Sequence, residues 1–174
     1  MTPALAKLPL IVLILLTPLE GQDTSPSRKE KDRILIELSE SPRVQFGRID
    51  YLKQSRPQQV FTAIWELEGQ VNNGGFHQWF FNSSGDIAVY TEDALRAIGA
   101  ARTADIVAAA VALFPGGPPP RNRAERQRRL ATVSPNVLEA WDRLDGRFFK
   151  APDDLTSLLY SWVKAHPKEF GSVR

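Results

Sequence analysis

Apolar residues recur along most of this chain at helical spacings, and that periodicity limits its fold more than any other feature. Val60, Ile64, Leu67 and Val71 stand four, three and four residues apart, and Val137, Trp141, Leu144 and Phe148 repeat the same steps far downstream. Such sets fall on one face of an α-helix and must be buried against another element. No segment alternates apolar and polar residues for long enough to argue for a sheet, and no repeat of fixed period is visible. The expected fold is therefore all-α, a single compact domain of about seven or eight helices with no significant sheet.

Caps and breakers divide that pattern. Ser27 and Glu30 have the spacing of a capping box, ahead of a helix that carries Ile34, Leu35 and Leu38 and should stop near Pro42. The helix holding Val60 to Val71 opens around Pro57, a residue tolerated in a first turn. Thr91 is placed to cap a helix with Glu92 and Asp93 in its first turn, Leu95 and Ile98 inward and Gly99 at its end. An alanine-rich helix follows, with Ile106, Val107, Ala110, Val111 and Phe114 inward and Pro115 as its stop. The four prolines and two glycines of residues 115–120 divide the domain into lobes or turn a corner. Ser134 and Pro135 begin a further helix. Asp153 is placed to cap a last one, lined by Leu155, Leu158, Leu159 and Trp162 and closed by Pro167.

Composition removes several chemistries. The chain has no cysteine, which excludes disulfides, thiolate metal sites, cysteine nucleophiles and a lipidated cysteine. Lys and Arg exceed Asp and Glu by only 22 to 20, which gives no ground to expect direct nucleic-acid binding. Arg121, Arg123, Arg126, Arg128 and Arg129 nevertheless crowd nine positions that hold one acid, Glu125. That cluster reads as a solvated basic helix, or else as a contact for phosphate or an acidic partner, and no aromatic residue interleaves it for base stacking.

At the N-terminus, Lys7 precedes the apolar run Leu8 to Leu16, which Thr17 to Gly21 break, in the order of a secretory signal. The run is too short for a stable membrane anchor, which needs about 20 apolar residues. Residues 1–21 are thus expected to be a signal peptide, 22–29 a polar linker and 30–174 the all-α domain, without a transmembrane anchor in the mature chain. Export to the periplasm, cell envelope or medium follows. A leader created by a misplaced start codon is the alternative, and it leaves the protein cytoplasmic.

The segment Glu68 to Asp86 is unusual for a loop or a helix. Asn72, Asn73, Gly74 and Gly75 should end one helix, with Asn or Gly in the left-handed conformation, and start another within two or three residues. Phe76, Trp79 and Phe80 then share a face, and at about 100° per residue His77 falls between Phe80 and Phe81, near the apolar boundary. Glu68 lies about 70° from the centre of the core stripe, whereas Glu66 points to solvent. Glu68 and Asn72 could accept hydrogen bonds from the amides that open the helix carrying His77, a structural role. The same atoms could instead form a small pocket floored by Phe76, Trp79 and Phe80, with His77 and Glu68 as acid and base and Asn73 as oxyanion donor. No nucleophile with an orienting partner accompanies them; Ser83 and Ser84 sit in a turn signal. With His77 and His166 the only histidines, and no paired ligand spacing among the acids, neither a metal nor a cofactor is expected.

From Val71-Asn-Asn-Gly-Gly-Phe-His-Gln-Trp-Phe-Phe-Asn-Ser-Ser-Gly85 the chain resembles the C-terminal domain of the bacterial DNA-mimic proteins, a widespread domain of largely unassigned function. The likeness extends through Ala94-Leu-Arg-Ala-Ile-Gly-Ala100 and Leu113-Phe-Pro115, then more loosely to His166-Pro-Lys-Glu-Phe170. It implies an all-α fold, no catalytic residues and binding of a DNA-binding protein through acids that imitate phosphates. Dense phosphate-like acidity is not what this chain offers, since its pI is near 9 and only Glu66, Glu68, Asp86, Glu92, Asp93 and Asp105 form a local acidic excess. Two expectations remain. One is a non-catalytic interaction module with an unknown protein partner, presenting the aromatic corner or the arginine helix. The other is a small-ligand-binding protein or hydrolase with a pocket built on His77 and Glu68.

Overall fold

A computed structural model describes residues 25–173 of the chain. The expected signal peptide at 1–21, and the linker up to residue 24, lie outside the described residues. The described residues form eight α-helices and two short 3-10 turns, with no strand: α1 Arg28–Glu40, α2 Arg56–Phe81, α3 Ala88–Ala97, α4 Ala101–Ala112, α5 Arg123–Leu130, α6 Pro135–Phe148, α7 Leu155–Ala165 and α8 Pro167–Phe170. The 3-10 turns span Tyr51–Lys53 and Ser83–Ile87.

Helix α2 is the central element, in contact with α3, α5, α6 and α7. Its stripe of Val60, Ile64, Leu67 and Val71 is fully buried, as the spacing requires. Outside it, α1 lies on α7, and α4 bridges α3 and α6. Trp79, Trp141, Phe61, Phe76, Phe80 and Phe170 are all buried in one continuous core. Burial of each such ring contributes about 2–3 kcal/mol, so the aromatic centre outweighs any single surface contact.

Several caps stand where the sequence places them. Ser27 and Glu30 form the reciprocal capping box of α1, and Ser134 accepts the Val137 amide at the start of α6. Gly99 ends α3 at φ +83°, with its own amide on the Arg96 carbonyl and the Ala100 amide on that of Leu95. Phe114, Leu130 and Trp141 belong to the same core, so the proline segment at 115–120 turns a corner and does not separate lobes.

Two helix starts differ from expectation, and one short helix is added beyond an end that stands as expected. Helix α3 starts at Ala88 because the Ser83–Ile87 turn runs directly into it, so Thr91 lies within the helix and bonds back to the Ile87 carbonyl. Asp154, not Asp153, caps α7 by accepting the Ser157 amide, which leaves Asp153 for a long-range contact. Pro167 follows the end of α7 and opens the one-turn helix α8, where a proline loses no hydrogen bond.

Candidate functional site

The middle of α2 is broken at two glycines. Gly74 and Gly75 leave helical geometry, and Gly75 takes φ +71°, the left-handed conformation expected of the Asn-Asn-Gly-Gly run. A Cβ on Gly75 would come within 2.2 Å of Asp145 Oδ2. That close approach has a purpose, because the Phe76 amide freed by the kink donates to Asp145 Oδ1 at 2.8 Å. The acceptor at the reopened helix is therefore Asp145 of α6, not Glu68 or Asn72. The kink turns the second half of α2 toward α6, which packs on it, so the acceptor comes from another helix. Burial raises the Asp145 carboxyl above its ordinary range, the Phe76 amide opposes this, and Asp142 adds to it.

Beyond the kink, Phe76, Trp79 and Phe80 are completely buried. Phe80 lies 5.1 Å from both Phe114 and Trp141, and Phe76 meets Phe148 edge-on. These rings fill core space, and none of them lines the cavities that Glu68 and Asn72 border. His77 is exposed, stacked on Phe81 and 6.3 Å from Trp141, so its imidazole is wetter than a boundary position. Asn72, Asn73 and Gly74 are exposed as well.

Glu68 points elsewhere. It stands nine positions before His77, and at about 100° per step the two side chains point half a revolution apart even before the kink is counted. Glu68 and Asn72 line a cavity of about 210 Å³ together with Arg28, Thr103, Asp153 and Phe148. They also line an adjoining groove of about 350 Å³ between α1 and α2, where Asp32, Ile36 and Trp65 complete the wall. His77 lines neither. The acid-base pair that His77 and Glu68 would form on the alternative reading is thus not assembled.

Glu68 is half-buried and makes no hydrogen bond or ion pair with any described residue. Burial pushes its carboxyl from an ordinary 4.5 up to about 7; Asp32 and Asp154 push the same way and Arg28 opposes them. The cavity wall is held firmly. Asp153 accepts both the amide and the hydroxyl of Thr103, at 2.7 and 2.9 Å, which ties the loop before α7 to the first turn of α4. In that loop Ala151 sits at φ +45°, a conformation unfavourable for a residue with a Cβ. Glu66, expected in solvent, is half-buried, and burial together with Asp86 raises its carboxyl.

The largest departure concerns the arginines. Arg126, read as part of a solvated basic helix, is completely buried. Its guanidinium donates to the carbonyls of Phe80 (2.6 Å), Pro120 (2.8 Å), Arg121 (3.1 Å) and Asn82 (2.7 Å), and to Asp86 Oδ1 at 2.6 Å. It closes the end of α2, the Ser83–Ile87 turn and the proline corner around one charge. Gly85 leaves room for it, since a Cβ there would lie 2.5 Å from Arg126 Nε. Arg121 pairs with Asp50, and Arg129 pairs with Glu125 and donates to the Gly116 carbonyl. A signal was available in the turn Asn82-Ser-Ser-Gly-Asp86, whose carbonyls need donors that a proline-rich neighbour cannot supply. Its partner, forty residues away, was not visible.

With that geometry in place, comparison with known families is direct: the DMP19-like protein family matches residues 53–166. The chain belongs to this family. No curated protein and no solved structure matches it. The DMP19-like region contains the kink, the Arg126 hub and the loop before α7, and leaves out α1. One wall of the Glu68 groove, formed by Asp32 and Ile36, therefore lies outside the matched region. Among the described residues there is no group of side chains able to hold a metal, and no helix is long and apolar enough to cross a membrane.

Proposed function

We propose that this DMP19-like domain is a non-catalytic protein-interaction module that receives a basic side chain of its partner in the Glu68 cavity. One observation carries the reading: a half-buried carboxyl with no hydrogen bond or ion pair of its own borders a cavity whose single lining cation, Arg28, is already paired with Asp154. A lysine or arginine from another protein would favour the ionised form of Glu68 and lower its pKa again. Exposed Ile36 and Phe149, one lining the groove and the other the cavity, supply apolar contact for the stem of such a side chain. The resemblance to DNA-mimic proteins points to a basic partner too, although acidity here is local in a chain of net charge +2. Separation of His77 from Glu68 removes the ground for acid-base chemistry between them. The leader-like residues 1–21 support a partner met after export.

The cysteine-free chain makes the test simple. A single Asn72→Cys variant, labelled with an environment-sensitive fluorophore, reports on the cavity. Titration with lysine- and arginine-containing peptides should give a saturable response that acidic peptides do not give and that Glu68→Gln abolishes. An equal response in Glu68→Gln would refute the reading. Silence toward peptides, with a Glu68-dependent response to small cationic molecules, would make the cavity a ligand site instead.

A further inference from the structure

A second cavity, on the far side of the same loop, has the opposite charge. Arg102, Arg147 and Lys150 surround a groove of about 320 Å³ whose remaining walls are Asp105, Ile106 and Pro152. Asp105, its single acid, is already engaged by Arg96 at 2.8 Å. Arg147 and Lys150 are exposed and have no hydrogen-bond or ion-pair partner among the described residues. Arg102 donates one N–H to the Pro152 carbonyl at 3.4 Å, which holds its guanidinium across the groove with further donors free.

Helix electrostatics explain only part of this arrangement. Arg147 lies in the last turn of α6, where the carbonyl end of the helix favours a cation. Arg102 is the second residue of α4, where exposed amides disfavour one. Asp153 relieves that turn through Thr103, yet nothing in the groove neutralises Arg102. Three cations thus face one groove with no acid free to pair with them, an arrangement suited to an anion from outside.

We propose that this groove binds a small organic phosphate, a phosphomonoester whose dianion is held by Arg102, Arg147 and Lys150 while its carbon body rests on Ile106 and Pro152. Two guanidiniums and an ammonium match a group with two charges and three free oxygens, more than a carboxylate can offer. The volume suits a small molecule, as ligand pockets begin at about 300 Å³. A nucleic-acid strand is the less favoured occupant, because no aromatic side chain lines the groove for stacking. This inference is independent of the Glu68 reading.

The test is an isotope-labelled protein titrated by NMR with phenyl phosphate, inorganic phosphate, benzyl alcohol and a short single-stranded oligonucleotide. Phenyl phosphate should shift the resonances of residues 101–106 and 147–152 saturably and more tightly than inorganic phosphate, with benzyl alcohol silent. Arg147→Gln and Lys150→Gln should each weaken it about tenfold, and the conservative Arg147→Lys less. Both side chains are exposed, so unchanged spectra elsewhere will report an intact fold. The absence of shifts in the groove, or unchanged affinity in both glutamine variants, would overturn the proposal. Inorganic phosphate bound as tightly as phenyl phosphate would overturn its organic part, and an oligonucleotide that binds where phenyl phosphate does not would replace it with a strand-binding surface.

Discussion

Replacing Arg126 by methionine keeps much of the side-chain volume and removes all five of its hydrogen bonds. Four of the abandoned acceptors are backbone carbonyls, which no compensating substitution can delete. Leaving a buried acceptor unsatisfied costs about 1–3 kcal/mol, and removing one member of a buried charged network about 3–5 kcal/mol in total. The Phe80 carbonyl is the most enclosed acceptor, whereas the Asp86 side chain is 38% exposed and can turn to water. The lower part of the range therefore comes from the carbonyls, and the ion pair adds about 1 kcal/mol or less. A loss of about 3–5 kcal/mol is a large fraction of a typical total of 5–15 kcal/mol, and in a chain of this size lowers Tm by roughly 6–20 °C. Urea denaturation of wild type, Arg126→Met and Asp86→Asn measures this directly. Arg126→Met should fall below wild type by that amount, and Asp86→Asn should fall by less, since asparagine keeps an acceptor for the guanidinium while removing its counter-charge. If Arg126→Met stayed within about 1 kcal/mol of wild type, the guanidinium would not be what joins α2, the turn and the corner.

Two further outcomes follow from the kink and the cavity. Gly75→Ala should destabilise by at least about 2 kcal/mol, because its φ of +71° is strained for alanine and the new Cβ would meet Asp145 Oδ2; Asp145→Ala should cost less, about 1 kcal/mol, through the lost Phe76 amide bond. At Glu68 the folded-state pKa near 7 lies above its ordinary 4.5, so the folded protein binds the extra proton between those values. Its favourable contribution is fully present below pH 4.5 and is lost as pH rises through 7. Glu68→Gln should therefore gain on wild type by up to about 3 kcal/mol between pH 4.5 and pH 8 in denaturant titrations, and an equal pH dependence in both proteins would contradict the buried, unpaired carboxyl.

Local chemistry explains why some features were legible and others were not. The helical stripes of α2 and α6, the Ser27 box, the Gly99 end and the break at Gly75 depend on residues within about one or two turns of each other, and each could be read in order. Asp153 was misread as a cap because Asp154 beside it is an equally good one, and Thr91 because the Ser83–Ile87 turn runs directly into α3 and starts it at Ala88.

The two candidate sites divide along the same line. Glu68 and Asn72 were singled out from sequence and do share a cavity, yet their partners there are Arg28, Thr103 and Asp153 from three other parts of the chain. His77 was linked to them through nearness in sequence, and helical geometry sends it to the opposite side. An all-α chain with a glycine break in its central helix follows from the order of residues alone, since backbone periodicity and φ preference are local properties. Tertiary structure alone decided that one arginine of five is buried, that Asp145 serves the break, and which charges face which cavity. Those outcomes depend on which helices meet, and one-dimensional spacing carries no record of that.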